Sequence, residues 1–176
     1  DIQLGLLEEE PFKHTVVFNC LDPDLYQELY QSFPKIKPSP KSNTPTLKKS
    51  GELTGIWKSF AERHISKEFF QKVAELFQIK EGKMRCQCII NSAVTTPSSV
   101  KLPHRDNPET LWAGILYFSD PDDCDGGNLN LYKVNPNFYK KRYTNNHGEP
   151  YKVVKYEPNK FVSWLNTPDS IHGVSI

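Results

Sequence analysis

From residue 83 onward the chain is a succession of short runs with strand character, at 84–90, 111–118, 128–134, 152–156, 161–165 and 171–176, each bounded by Gly, Pro, Asn or Asp. Each of these runs carries β-branched or aromatic residues and is of strand length. Short strands at this spacing pack as a sandwich or a jelly roll. The sequence therefore predicts a mainly β fold with flanking helices (α+β): a jelly-roll, or double-stranded β-helix, core over 83–176 and N-terminal supporting helices over 1–82.

Two helices are legible in the N-terminal part. Asp22-Pro23 supplies an N-cap and a favoured first helical residue, and Leu25, Tyr26, Leu29, Tyr30 and Phe33 repeat at helical spacing before Pro34. Ser66 caps a second stripe formed by Phe69, Phe70, Val73, Leu76 and Phe77. Between them, 34–50 holds Pro34, Pro38, Pro40 and Pro45 with Lys35, Lys37, Lys41, Lys48 and Lys49 and no acid. Such a stretch cannot bury a core, and it reads as a solvated mobile loop or as a lid over substrate. Trp57 and Phe60 then read as core anchors for the returning chain.

The chemistry-bearing pattern lies in the β part. His104-Arg105-Asp106 puts a histidine and a carboxylate two residues apart, so in an extended strand both project to one face, roughly 7 Å apart along the backbone. His172, in a second apolar run, supplies a distant partner. Two neutral imidazoles and one carboxylate on one face of a cation leave its other positions open, the donor set suited to non-heme Fe(II). His14, His64 and His147 have no partner at useful spacing and read as surface or internally satisfied residues.

Five segments in order carry a resemblance: His104-Arg105-Asp106-Asn107-Pro108, Gly114-Ile115-Leu116-Tyr117-Phe118-Ser119, Gly126-Gly127-Asn128-Leu129, Glu157-Pro158-Asn159-Lys160-Phe161-Val162 and Ile171-His172-Gly173-Val174. Over about residues 83–176 the chain resembles the Fe(II)- and 2-oxoglutarate-dependent oxygenases of the prolyl 4-hydroxylase type, and its His-x-Asp-Asn-Pro wording is similar to the hypoxia-sensing prolyl hydroxylase branch. The resemblance implies a dioxygenase that hydroxylates an unactivated C–H bond, using Fe(II), 2-oxoglutarate as cosubstrate, O2 and, as a reductant, ascorbate. It implies His104, Asp106 and His172 as metal ligands, and a peptidyl proline or a small molecule as substrate. A carboxylate at Asp106 favours hydroxylation, since related halogenases carry a small residue there. Tyr117 matches the tyrosine whose hydroxyl bonds the cosubstrate's distal carboxylate; its other reading is a buried tyrosine bonding a backbone carbonyl.

One departure stands out. The family carries Arg or Lys about ten positions after the distal histidine as counter-ion to that carboxylate, and the sequence stops at Ile176. The expectation is that further residues follow. Spacing does not show whether Arg63, Arg85 or Arg142 could substitute. A non-catalytic jelly-roll module that keeps the triad for a structural metal is the alternative reading.

Charge and cysteine usage limit the other classes. A formal charge of +1 provides no basic field for nucleic acid. No apolar run approaches the roughly 20 residues that span a bilayer, and Glu8-Glu9-Glu10 is unlike a signal peptide, so the expectation is a cytoplasmic protein with neither membrane nor nucleic-acid partner. Cys86 and Cys88 share one strand face, and neither Cys20 nor Cys124 has a zinc-like companion, so all read as free thiols. The acidic stretch 121–126 reads as a hairpin turn, since Pro121 and Tyr132 occupy ligand positions of a calcium loop. The basic and aromatic stretch 133–143 reads as a solvated connection.

Overall fold

The structure is a computed structural model describing residues 1–34, 46–47, 53–80, 90–91, 101–119, 122, 126–134 and 148–175. In chain order these residues form β1 (His14–Val17), α1 (Pro23–Gln31), β2 (Thr46–Leu47), α2 (Gly55–His64), α3 (Lys67–Phe77), β3 (Ile90–Asn91), β4 (Lys101–His104), β5 (Trp112–Tyr117), β6 (Asn128–Tyr132), β7 (Lys152–Val154), β8 (Lys160–Leu165) and β9 (Ile171–Ser175). The architecture is mixed α+β and sheet-rich, with every strand pair antiparallel. The chain divides into one compact unit of residues 1–3 and 21–98 and a second of residues 4–20 and 99–176.

The first unit is helical. Asp22 Oδ1 accepts the backbone N–H groups of Asp24 and Leu25 and so starts α1, while Ser66 Oγ accepts the N–H of Phe69 and starts α3. The stripes turn inward, burying Leu29 on α1 and Phe69, Val73 and Phe77 on α3. Helix α2 has a weaker sequence signature, because Thr54 makes no side-chain cap and Gly55 opens the helix at φ 56°. What holds α2 is packing: Trp57 and Ala61 are buried, and the Trp57 indole N–H donates to the Leu29 carbonyl at 3.2 Å. Within 34–50, Thr46 and Leu47 pair antiparallel with Ile90 and Asn91. The rest of that stretch, most of 84–90, three of the cysteines, 135–143 and most of 121–126 lie outside the described residues.

The second unit contains two larger sheets, ordered β1-β8-β5 and β4-β9-β6-β7. One apolar cluster draws on both: Phe12, Tyr117, Val162 and Trp164 come from the first sheet and its approach, Leu129, Leu131 and Val154 from the second. Period-2 alternation explains the choice of side chains, since Ala113, Ile115 and Tyr117 share a face of β5 and all pack on this cluster. On the other face of β5, Gly114 is required by close approach, because a Cβ there would meet the Phe161 ring at 2.7 Å.

Strand β1 is an addition to the sequence reading. His14-Thr15-Val16-Val17 is buried on both faces, so it lacks the alternation that marks a half-exposed strand, and it pairs along its whole length with β8. Cys20 follows as a buried free thiol whose pKa is pushed up to about 12 by burial. His14 is wholly buried, which corrects the expectation that it is a surface or satisfied residue: Nδ1 meets the Phe12 carbonyl at 2.8 Å, but Nε2 has no hydrogen-bond partner and lies 3.7 Å from Glu8.

His64 in the first unit fits that expectation. Its Nδ1–H donates to the Phe60 carbonyl at 2.7 Å and its Nε2 accepts the Ile2 N–H at 3.1 Å, so the neutral ring uses both nitrogens. Burial lowers its pKa to about 4 from 6.5 and also holds that of His14 below its ordinary value. A histidine with a depressed folded-state pKa contributes stability that is complete above the unfolded value and disappears as pH falls toward the folded one. Urea unfolding therefore loses, between pH 7 and 4.5, a share due to His64 of about 2–3 kcal/mol at most. His64→Gln should remove that share, and an unchanged pH dependence in the variant would show that His64 does not titrate on unfolding.

Candidate metal centre

The second unit brings His104, Asp106 and His172 together, each offering one ligand atom, with all three atoms within 4.8 Å of one another. Their meeting begins with strand register. β4 and β9 are antiparallel neighbours, and His104 stands opposite His172, so the two rings lie with centroids 4.6 Å apart. Facing residues in antiparallel pairs have Cβ atoms about 4.5–5.5 Å apart, close enough for two imidazoles to share one ion. His172 is the better fixed, because β9 is flanked on its other side by β6, where Leu131 stands opposite it.

Asp106 arrives differently from the extended-strand expectation. β4 ends at His104, and between Lys101 and His104 it carries a register irregularity, advancing three residues while β9 advances two. A bulge of this kind breaks the period-2 count and re-aims the side chains that follow. Asp106 lies just beyond, entering a turn in which Asn107 Oδ1 accepts the Glu109 N–H at 3.1 Å and the Asn107 carbonyl accepts the Thr110 N–H at 2.8 Å. Pro103, inside β4, has no N–H to give the ladder, in keeping with the irregularity between Lys101 and His104.

The local bonding prepares both imidazoles as ligands. His104 Nδ1 lies 2.8 Å from the Leu102 carbonyl oxygen and His172 Nδ1 lies 3.0 Å from that of Ser170. A carbonyl only accepts, so in the neutral ring the proton sits on Nδ1 and the lone pair on Nε2. This outer contact is the usual way a ligating histidine is oriented. His172 Nε2 is 3.6 Å from Asp106 Oδ1, and Asp106 Oδ2 is buried with no hydrogen-bond partner. A buried carboxylate oxygen is costly to leave uncompensated, and a cation placed among it and the two imidazoles would remove that cost. The donor set therefore fits a divalent transition metal.

Burial pushes the Asp106 carboxyl up, but positive charge on His172 and His104, with the Trp164 indole, outweighs it and holds the group below its ordinary value; a bound cation would act in the same direction. Trp164, 2% exposed, stacks obliquely on His172 with ring centroids 4.5 Å apart and walls the site on its inner side.

Tyr117 sits on the same inner face, in the shared core, edge-on to Tyr156 at 5.2 Å. Burial, with Tyr156 beside it, raises its phenol pKa, so Tyr117 stays a proton donor. The hydroxyl of Tyr156 donates to the Phe118 carbonyl at 3.0 Å. Lys160, opposite Tyr117 in register and 2% exposed, is matched by Glu157 at 2.6 Å. Of the other basic candidates, Arg63 is paired with Asp1 and is described in the first unit, and Arg85 and Arg142 lie outside the described residues. Trp164 and the loop after β8 were invisible in the sequence as parts of a site, because an indole in an apolar strand and an Asn in a turn look like ordinary core and ordinary solvent.

Compared with known proteins, the chain matches no family model and no curated protein. No helix among the described residues is long and apolar enough to cross a membrane. Calorimetric titration with Co(II) should give one ion per chain. His172→Ala should weaken binding by more than about a hundredfold, exceeding what loss of an outer-layer contact costs; equal affinities in the two proteins would place the ion elsewhere.

Proposed function

We propose that this chain is an Fe(II)- and 2-oxoglutarate-dependent dioxygenase that hydroxylates an unactivated C–H bond, with a peptidyl proline as the favoured substrate class, on a jelly-roll core. The observation that carries the reading is the convergence of two oriented imidazoles and one carboxylate, their ligand atoms all within 4.8 Å of one another. The jelly roll is supported by the path of the chain: β4 lies in one sheet, β5 in the other, β6 and β7 in the first again, β8 in the second and β9 in the first. Such alternation between two sheets is compatible with a double-sheet jelly roll.

In this reading His104, Asp106 and His172 would hold the metal. Iron, with 2-oxoglutarate and O2, supplies the oxidising chemistry, and the protein supplies position and shelter. Asp106 contributes the one negative charge, and Trp164 and Leu131 keep water from the inner side of His172. Tyr117, a buried and protonated phenol, donates a hydrogen bond to the cosubstrate carboxylate.

Succinate formation from 2-oxoglutarate, with Fe(II) added and no other substrate, tests the reading, because a structural metal forms none. Turnover abolished by Asp106→Ala is the expected result; a chain that binds the metal and yields no succinate is a structural metal module. Tyr117→Phe should raise the KM for 2-oxoglutarate by about tenfold with kcat little changed, the loss of one hydrogen bond to a charged group. An unaltered KM would assign Tyr117 to the core alone.

A further inference from the structure

The two segments that deliver the ligands are joined through one side chain. Asn166, in the loop between β8 and β9, donates from Nδ2 to the Asn107 carbonyl at 2.9 Å and to the Thr110 carbonyl at 2.7 Å. Those two carbonyls belong to the turn that begins at Asp106. Its backbone N–H donates to the Leu111 carbonyl at 2.9 Å, at the far end of the same turn. On its other side, Asn166 Oδ1 accepts the hydroxyl of Ser170 at 3.2 Å, and that hydroxyl also approaches the Thr167 carbonyl at 2.8 Å while accepting the Thr167 N–H at 3.0 Å. The Ser170 carbonyl is the group that orients His172. One amide thus uses both of its donors on the Asp106 segment and its acceptor on the His172 segment.

We infer that Asn166 is a positioning residue that sets the separation of Asp106 from His172, and through it the affinity of the site for metal. The reason is geometric. Asp106 stands beyond the end of β4, so no ladder hydrogen bond fixes it to β9, and the register that aligns the histidines stops at His104. Asn166 takes over where the ladder ends. Its planar amide, with donors on one side and acceptor on the other, is the side chain suited to bridge carbonyls and a hydroxyl at once. Asn166→Asp keeps the acceptor for Ser170 but puts oxygens against two carbonyls, so it breaks the Asp106 half alone.

The inference rests on the metal-site reading above, and a double-mutant cycle separates the two. Ni(II) is the probe, since two imidazoles retain it after the carboxylate is removed. In the full chain, Asn166→Asp and Asn166→Ala should each weaken Ni(II) binding by about tenfold to a hundredfold, the range for outer-layer partners of metal ligands. In an Asp106→Ala background the same Asn166 substitutions should have little further effect, because the group they position is gone. A merely structural role would weaken binding equally in both backgrounds, and that result would overturn the inference while leaving the metal site standing. Failure of the unsubstituted chain to bind Ni(II) would overturn both. If Asn166→Ala does not fold, Asn166→Asp and Ser170→Ala, which break the two halves separately, carry the same comparison.

Discussion

The antiparallel register that sets His104 opposite His172 is the constraint on which the rest of the second unit depends. Shifting either strand by one residue would send one imidazole to the opposite face of the sheet and disperse the ligands. The register is protected in unequal measure on its two sides. β9 is an interior strand of its sheet, held by β4 and by β6, whereas β4 reaches its end at His104. The site is thus built on a rigid half that carries His172 and a terminal half that carries His104 and then Asp106. The side-chain bridge through Asn166 compensates for the second.

Charge gives the same arrangement its chemical direction. Two imidazoles whose Nδ1 atoms are occupied by carbonyl contacts can each present a lone pair, but a lone pair facing a buried carboxylate is repulsive until a cation lies between them. Protonating a histidine would relieve the repulsion, and so would a metal. A metal ion could engage both imidazoles and the Asp106 carboxylate together. His14 shows the contrast: it has the same carbonyl contact at Nδ1 and a bare Nε2, yet its neighbours are Glu8 and, bound to Glu8, Lys152, whose positive charge opposes a second cation there.

Much of this was legible in residue types and spacing. His104, Asp106 and His172 could be named from donor chemistry, the face of Tyr117 followed from counting by twos along 113–117, and Asp22 and Ser66 marked helix starts that α1 and α3 use. What escaped the sequence has a common cause. The strand at His14–Val17 is buried on both faces and so lacks alternation, α2 opens on a glycine without a side-chain cap, and β4 ends at His104, so the two-residue alternation from His104 to Asp106 does not apply. Asn166 acts through loop hydrogen bonds between segments distant in sequence, which have no periodic signature at all. Periodicity reveals ladders and stripes; it does not reveal side chains that tie loops together.

In the proposed function one ion would lie among His104, Asp106 and His172 and would be chelated by 2-oxoglutarate. Its most direct test is the visible spectrum under anaerobic conditions with Fe(II) and 2-oxoglutarate. A weak charge-transfer band that requires both additions and is lost in Asp106→Ala is the expected result. No band from a protein shown to have bound Fe(II), or a band that survives the loss of Asp106, would overturn the proposed function.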